Sequence, residues 1–369
     1  MKIIADENIP LVNQLFSELG DVQTLQGRDI NAEDVRDADA LLVRSVTQVN
    51  KSLLTASSIK YVGTCTIGTD HLDKEYLTAS GIQFASAPGC NAWGVVQYVF
   101  AALAELAKLD KANKFGIIGC GNVGGRLYRA LKQLGFQCYC YDPFLDVKEN
   151  EHLCDLPDLY HCDVVCVHTP LTKTGPYPTY HMLDRQFFAK MKHGAVLLNA
   201  GRGAAIDNAS LLDYLQNDNE NELEVVLDVW EPEPEINVAL LDLVTFASPH
   251  IAGYSFEGKV NGSLMIFESL CAFLGKPEEY VTSVLERTRR SVYGEAENIS
   301  ADTLEQAIKH SYNILLDDKN LRAVRSSLAV EFDRLRKNYP VRREFSHYRA
   351  EFKTQELSDR LAALGFNSR

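Results

Sequence analysis

Arg202, Glu233 and His250 are the residues of this 369-residue chain whose types could together hold an acid and move a proton. Each follows an apolar run: "AVLLNAGRG" carries Arg202, "EVVLDVWEPEPE" carries Asp228, Glu231 and Glu233, and "FASPHIAGYS" carries His250. Imidazole exchanges a proton near neutral pH, and a carboxylate beside it orients the ring. The planar guanidinium fork matches a substrate carboxylate in a way that a lysine does not. Singly, each has a plain explanation. A histidine between proline and glycine often only closes a turn, and an arginine past a strand is often a surface residue. Together, beside a nucleotide site, they point to oxidation of an alcohol next to a carboxylate.

The nucleotide site is read from "GCGNVG", residues 119–124. The motif alone is weak, but the apolar strand Phe115–Ile118 precedes it and an amphipathic helix through Leu131 and Leu134 follows. A second strand then ends in Asp142, 18 residues past Gly124. Gly119 permits the tight turn, Gly121 lets the backbone approach a pyrophosphate, and Gly124 lets helix and strand pack closely. Asn122 and Val123 complete the turn, and the helix N-terminus offers its N–H groups to the anion. Asp142 suits ribose hydroxyls and repels a 2′-phosphate, and Pro143 and Phe144 supply no compensating cation. NAD is therefore expected over NADP.

These loops need strands that end on one side of a sheet. Short apolar runs alternate with helical stretches throughout, which implies parallel sheets. The expected fold is α/β, with two Rossmann-like parallel-sheet domains and a small C-terminal α/β dimerisation domain. Residues 1–91 with 252–285 form the substrate-binding part, 92–251 the NAD-binding part, and 286–369 the C-terminal part. The long apolar stretch Trp93–Leu109 reads as a helix that connects domains and packs between the subunits of a homodimer. Residues 287–300 read as a polar linker, and 303–322 as one amphipathic helix. A net charge of −13 argues against nucleic acid or an anionic membrane as the main partner. No apolar run is long enough to span a bilayer, and "MKIIADENIP" does not read as a leader peptide. Nine cysteines, an odd number without zinc spacing, read as reduced thiols of a cytoplasmic protein with no metal.

"GCGNVG", "HTPLT", "NAGRG", "DVWEPEP" and "PHIAG", in this order, resemble the D-2-hydroxyacid dehydrogenase family over roughly the first 285 residues. The resemblance implies hydride transfer from C2 of a hydroxyacid to NAD. It makes His250 the acid/base, Glu233 rather than a solvent-facing Glu231 its partner, and Arg202 the substrate clamp. It places Thr169, Ala200, Gly201, Arg202, Asp228 and Gly253 along the cofactor. A His-Ile-Ala-Gly sequence replaces the family's His-x-Gly-Gly, and Ala252 fits if its φ is not positive. The stretches "ADENIP", "LLVRSVTQVN", "GTCTIGTDHLD", "APGCNA" and "FDRLRKNYPVRRE" resemble a branch that acts on a small phosphorylated hydroxyacid. That closer likeness implies substrate contacts from Ser45, Thr66 and Tyr254. Arg44, Arg342 and Arg343 are candidate cations for the phosphate, the last two only if the tail reaches an active site; otherwise the tail is a solvated basic face. Two alternatives stay open: a dehydrogenase of another phosphorylated hydroxyacid, and a non-catalytic NAD-sensing scaffold.

Overall fold

The computed structural model describes residues 1–146, 152–351 and 354–367. The chain divides into two compact units, Met1–Asn91 with Ser255–Glu295, and Ala92–Tyr254 with Ala296–Arg369.

The first unit is built on strands β1 (Lys2–Asp6), β2 (Asp21–Leu25), β3 (Ala40–Val43), β4 (Tyr61–Thr64) and β5 (Gln83–Ala85). They form one parallel sheet in the order β2-β1-β3-β4-β5. The runs "ALLV" and "YVGT" are buried at every position, as central strands covered on both faces must be. The helix Phe256–Phe273 covers one face. Its Phe267 meets Phe16 edge to face at 5.8 Å, with both rings sealed from solvent. Gly63 of β4 makes room for this helix, since a Cβ there would stand 2.5 Å from Ile266.

The second unit holds β6 (Lys114–Ile118), β7 (Gln137–Tyr141), β8 (Val164–Val167), β9 (Val196–Asn199), β10 (Glu224–Leu227) and β11 (Phe246–Ala247). All are parallel, in the order β11-β10-β9-β8-β6-β7. Strand order reverses between β6 and β8. Adjacent loops therefore diverge there and open a crevice at the carboxyl ends of the strands. The two Rossmann-like sheets and a small C-terminal sheet-and-helix region are all present.

The tail departs from the expected linker and from the expected single helix. The helix Glu278–Tyr293 runs through position 286, and β12 (Glu297–Ser300) follows, so 287–300 is no linker. The single helix expected over 303–322 is two, Leu304–Ser311 and Ile314–Ala323, broken where Tyr312 turns inward beneath Arg342. From β12 onward the C-terminal region belongs to the second compact unit. Its own sheet is the pair β12 and β13 (Tyr348–Glu351). Asp318 takes the Ala247 N–H at 2.8 Å, and Arg322 donates to the Leu241 and Val244 carbonyls at 2.6 and 2.9 Å, closing the β11 edge.

The helix Ala92–Glu105 is buried at every position except Trp93 and Glu105. It packs within its own unit against Gly124–Gln133, Leu304–Ser311 and Ile314–Ala323. Its apolar surface is thus covered by the same chain and is not left for a second subunit. Among the described residues no helix is long and apolar enough to cross a membrane.

Candidate active site

The glycine turn follows β6. Gly119 has φ 86°, where a side chain is strained, and its N–H bonds to the Tyr141 carbonyl at 2.9 Å. A Cβ on Gly124 would stand 1.9 Å from the Gly119 carbonyl, so only glycine lets the next helix start there. Gly121 has no atom within 4 Å of where its Cβ would be, which leaves a bare backbone for an approaching anion. Asp142, past β7, accepts the Cys120 N–H at 2.9 Å and the Phe144 N–H at 3.2 Å. Its carboxylate is fixed at the rim of the turn, with lone pairs left for ribose hydroxyls.

Thr169 follows β8, buried, and its hydroxyl has no hydrogen-bond partner. Both ring nitrogens of His168 are sealed from solvent and unpartnered, and burial pushes this imidazole down to about 4, so it is neutral. In the sequence nothing marks His168 beyond its place at the head of "HTPLT". Orphaned polar atoms beside a glycine cradle fit a group that brings its own hydrogen bonds, as a nicotinamide dinucleotide does.

Arg202 lies beyond β9, after Ala200 and Gly201. Asn199, fully buried, ties this loop down: its Oδ1 accepts the Gly201 N–H and its Nδ2 donates to the Arg202 carbonyl, both at 3.0 Å. Sequence reading had not singled out Asn199. A Cβ on Gly203 would stand 1.8 Å from the Trp230 carbonyl, so the Arg202 loop lies directly on the loop after β10.

That second loop begins with Asp228, 1% exposed. Asp228 Oδ1 accepts from the Ser248 hydroxyl at 2.6 Å and the Ile251 N–H at 2.8 Å, and Oδ2 accepts the Ala252 N–H at 2.9 Å. All three donors belong to the His250 loop. The His250 N–H adds a bond to the Asp228 carbonyl at 2.7 Å. His250 itself has φ 57°, the left-handed region, whereas Ala252 is not among the positive-φ residues.

His250 Nδ1 and Glu233 Oε2 are 2.8 Å apart. A carboxylate can only accept, so Nδ1 carries the hydrogen and Nε2 is the nitrogen left as base. Burial alone would push Glu233 up, but His250, the Trp230 N–H at 2.9 Å and Arg336 together hold it below its ordinary value. Glu231 does not simply face solvent as expected. It pairs with His181 at 2.7 Å on the other side of the loop.

Tyr254 closes the stretch after Gly253. Its ring meets Tyr339 edge to face at 6.0 Å, and the Arg336 guanidinium stands 5.6 Å from its centre. Arg342 is 6% exposed, donates to the Ala252 carbonyl at 2.5 Å and lies 4.4 Å from the centre of the Tyr312 ring. It is buried rather than part of a solvated face, and it braces the His250 loop from behind. The Arg343 carbonyl accepts from Gln97 at 2.9 Å.

In the first unit, Ser45 is exposed just past β3. Thr66, past β4, bonds to Thr64 at 2.8 Å and to the Gly68 carbonyl at 3.1 Å. Arg44 gives its fork to the buried Asp6, at 2.9 and 3.3 Å, so its charge is already matched.

A cysteine cluster also emerges that spacing did not reveal. Ligand atoms of Cys120, Cys140 and His152 lie within 4.8 Å of one another.

Residues 102–252 match the NAD binding domain of the D-isomer specific 2-hydroxyacid dehydrogenases. An erythronate-4-phosphate dehydrogenase of Teredinibacter turnerae is 57% identical across 100% of this chain and 99% of its own length. The chain belongs to the erythronate-4-phosphate dehydrogenase family. The Klebsiella pneumoniae relative of the same name is 44% identical, covering 100% of this chain and 98% of its own. Solved structures share the family's fold. An NAD+-bound 3-phosphoglycerate dehydrogenase from Entamoeba histolytica matches with TM-score 0.63 and 23% identity, covering 74% of this chain and 95% of its own. NAD is the cofactor of this family's nucleotide unit. Residues 285–365 match a domain of unknown function, which is the tail that braces the His250 loop.

Glu233 titrates below its ordinary value in the fold, so the stability it adds is complete above that value and lost as pH falls through the lower one. Glu233→Gln is therefore expected to melt below the wild type at neutral pH. The two melting curves should converge as pH drops below 4.5, read by circular dichroism across a pH series.

Proposed function

We propose that the chain oxidises 4-phospho-D-erythronate at C2 with NAD, producing (R)-3-hydroxy-2-oxo-4-phosphobutanoate, a step of pyridoxal phosphate synthesis. The observation that carries this reading is the 2.8 Å His250–Glu233 couple, whose Glu233 loop packs on the Arg202 loop past the carboxyl ends of the sheet. The relatives' names supply the substrate.

Arg202 offers two parallel donors to the C1 carboxylate and so sets which carbon faces the cofactor. NAD, when bound, supplies the hydride acceptor. Gly119, Gly121 and Gly124 with Asn122 and Val123 hold its pyrophosphate, and Asp142 takes its ribose hydroxyls. Thr169, Ala200, Gly201, Asp228 and Gly253 line its nicotinamide half. His250 Nε2 takes the C2 hydroxyl proton as the C2–H bond breaks, and Glu233 stabilises the imidazolium that results. Ser45, Thr66 and Tyr254 contact the rest of the substrate. The neutral His168 stands beside Thr169 without adding a charge to compete with these groups.

The working protein is a homodimer in the cytoplasm. The helix Ala92–Glu105 does not support this, being covered by its own chain. Support comes from apolar side chains that the tail leaves exposed: Leu315 at 44%, Leu316 at 48%, Val330 at 72% and Val341 at 77%. The cytoplasm is supported by nine cysteines that are all free. Sedimentation equilibrium is expected to give about twice the 41.2 kDa chain mass, and a single-chain mass overturns the dimer.

NADH formation from 4-phospho-D-erythronate is expected to exceed that from 3-phosphoglycerate at equal concentration. His250→Asn is expected to lose turnover by about 10²–10⁴-fold with cofactor binding intact. A wild type that reduces NAD with no 2-hydroxyacid favours the scaffold role instead.

A further inference from the structure

We propose that Arg336, supplied by the tail, is a positioning residue of the proton relay: it braces Tyr254 and acts as a fixed cation on the Glu233 carboxylate behind His250. The inference rests on the acid/base role of His250 given above. Arg336 sits on the helix Leu328–Lys337, and its side chain is 15% exposed. Its guanidinium stands 5.6 Å from the Tyr254 ring centre and 6.0 Å from that of Phe332. It pairs with Asp333 at 3.2 Å, while its Nε has no partner. The charges it meets are those of Asp333 and Glu233, with the Tyr254 hydroxyl as a hydrogen-bond partner. Glu233 in turn hydrogen-bonds His250 and the Trp230 N–H, and the Arg336 charge helps to hold its carboxyl below the ordinary value.

A surface arginine would be expected to wave in solvent; this one is buried against the residue that ends the His250 loop. The arrangement has two separable consequences. The planar guanidinium holds the Tyr254 ring, which a lysine ammonium does less well. The positive charge offsets part of the Glu233 charge, which weakens the pull of Glu233 on an imidazolium. Removing the charge therefore strengthens the pull of Glu233 on the imidazolium.

The test is the titration of the His250 ring by NMR in the NAD-bound full-length protein, assigned with His250→Asn, beside the acid limb of kcat/KM. In Arg336→Gln both should move up by about half a pH unit or more. Arg336→Lys should keep the titration near that of the wild type and raise KM more than it lowers kcat. A titration in Arg336→Gln that coincides with the wild type overturns the proposal, whatever happens to stability. Should Arg336→Gln fail to fold, Arg336→Lys decides: a KM equal to that of the wild type overturns it. If the wild type does not turn over 4-phospho-D-erythronate, the substrate reading fails, and the NMR titration still tests Arg336.

A separate cluster carries a second inference. We infer that Cys120, Cys140 and His152 bind a soft divalent metal with two thiolates and one imidazole, releasing two protons to solvent. Their ligand atoms already lie within 4.8 Å of one another. The Cys140 N–H bonds to the His152 carbonyl at 3.0 Å, and the His152 ring stacks on Tyr128 at 3.9 Å. Cys120 is the second residue of the glycine turn, so an occupied site should weaken NAD binding. Cadmium titration of the reduced full-length protein is expected to show thiolate-to-cadmium ultraviolet absorption, and added cadmium should lower NADH affinity by fluorescence. Cys140→Ser should lose most of the band and the effect on NADH. A band of equal size in both proteins, or no band at all, overturns the site.

Discussion

The buried Asp228 carboxylate is the constraint on which the catalytic loop depends. A carboxylate 1% exposed must have its lone pairs matched, and the Ser248 hydroxyl and the Ile251 and Ala252 N–H groups match them. Those bonds force the chain to curl around one side chain, and His250 adopts φ 57° at the centre of the curl. Such a backbone is costly for a non-glycine residue and persists only where the surroundings over-determine it. Here they do, and the result aims Nδ1 at Glu233 and leaves Nε2 for the substrate.

The same loop is supported from outside by the helix Ala92–Glu105 and by the tail. The Tyr98 hydroxyl reaches Ser248 at 2.8 Å, and Arg342 reaches the Ala252 carbonyl beneath Tyr312. Residues 296–367 therefore do more than extend the chain. They close the β11 edge, cover the helix Ala92–Glu105, and place buried cations behind the residues from Ala252 to Tyr254. A basic run that reads as a surface feature in one dimension divides in three: Arg342 is buried and Arg336 half-buried against aromatic faces, while Arg334 and Lys337 stay exposed.

How much was legible depended on the range of the interaction that decides each residue. The glycine turn was legible because its requirements are local: positive φ at Gly119 and no room for a side chain at Gly124 follow from a strand, a turn and a helix in sequence. His250, Arg202 and Glu233 were legible as residue types after strand ends, and the family resemblance chose Glu233 over Glu231. The structure supplies the reason for that choice, since the loop sends Glu231 to His181 and Glu233 to His250. Asn199 and His168 were passed over because a buried asparagine and a sealed histidine look like any others in a string. The break at Tyr312 was hidden because helical periodicity continues through it, and the ring turns inward only because Tyr98 and Arg342 are waiting there.

By itself the sequence determined the α/β class, the nucleotide turn and the residue types for acid–base chemistry on a hydroxyacid, all of which follow from patterns spanning a few tens of residues. Tertiary structure alone decided that Glu231 is taken by His181, that Arg44 and Arg342 are already engaged, and that Arg336 stands beside Tyr254. The reason is physical: charges far apart in the chain acquire a partner, and so a role, only when folding removes them from water and leaves one neighbour to satisfy them.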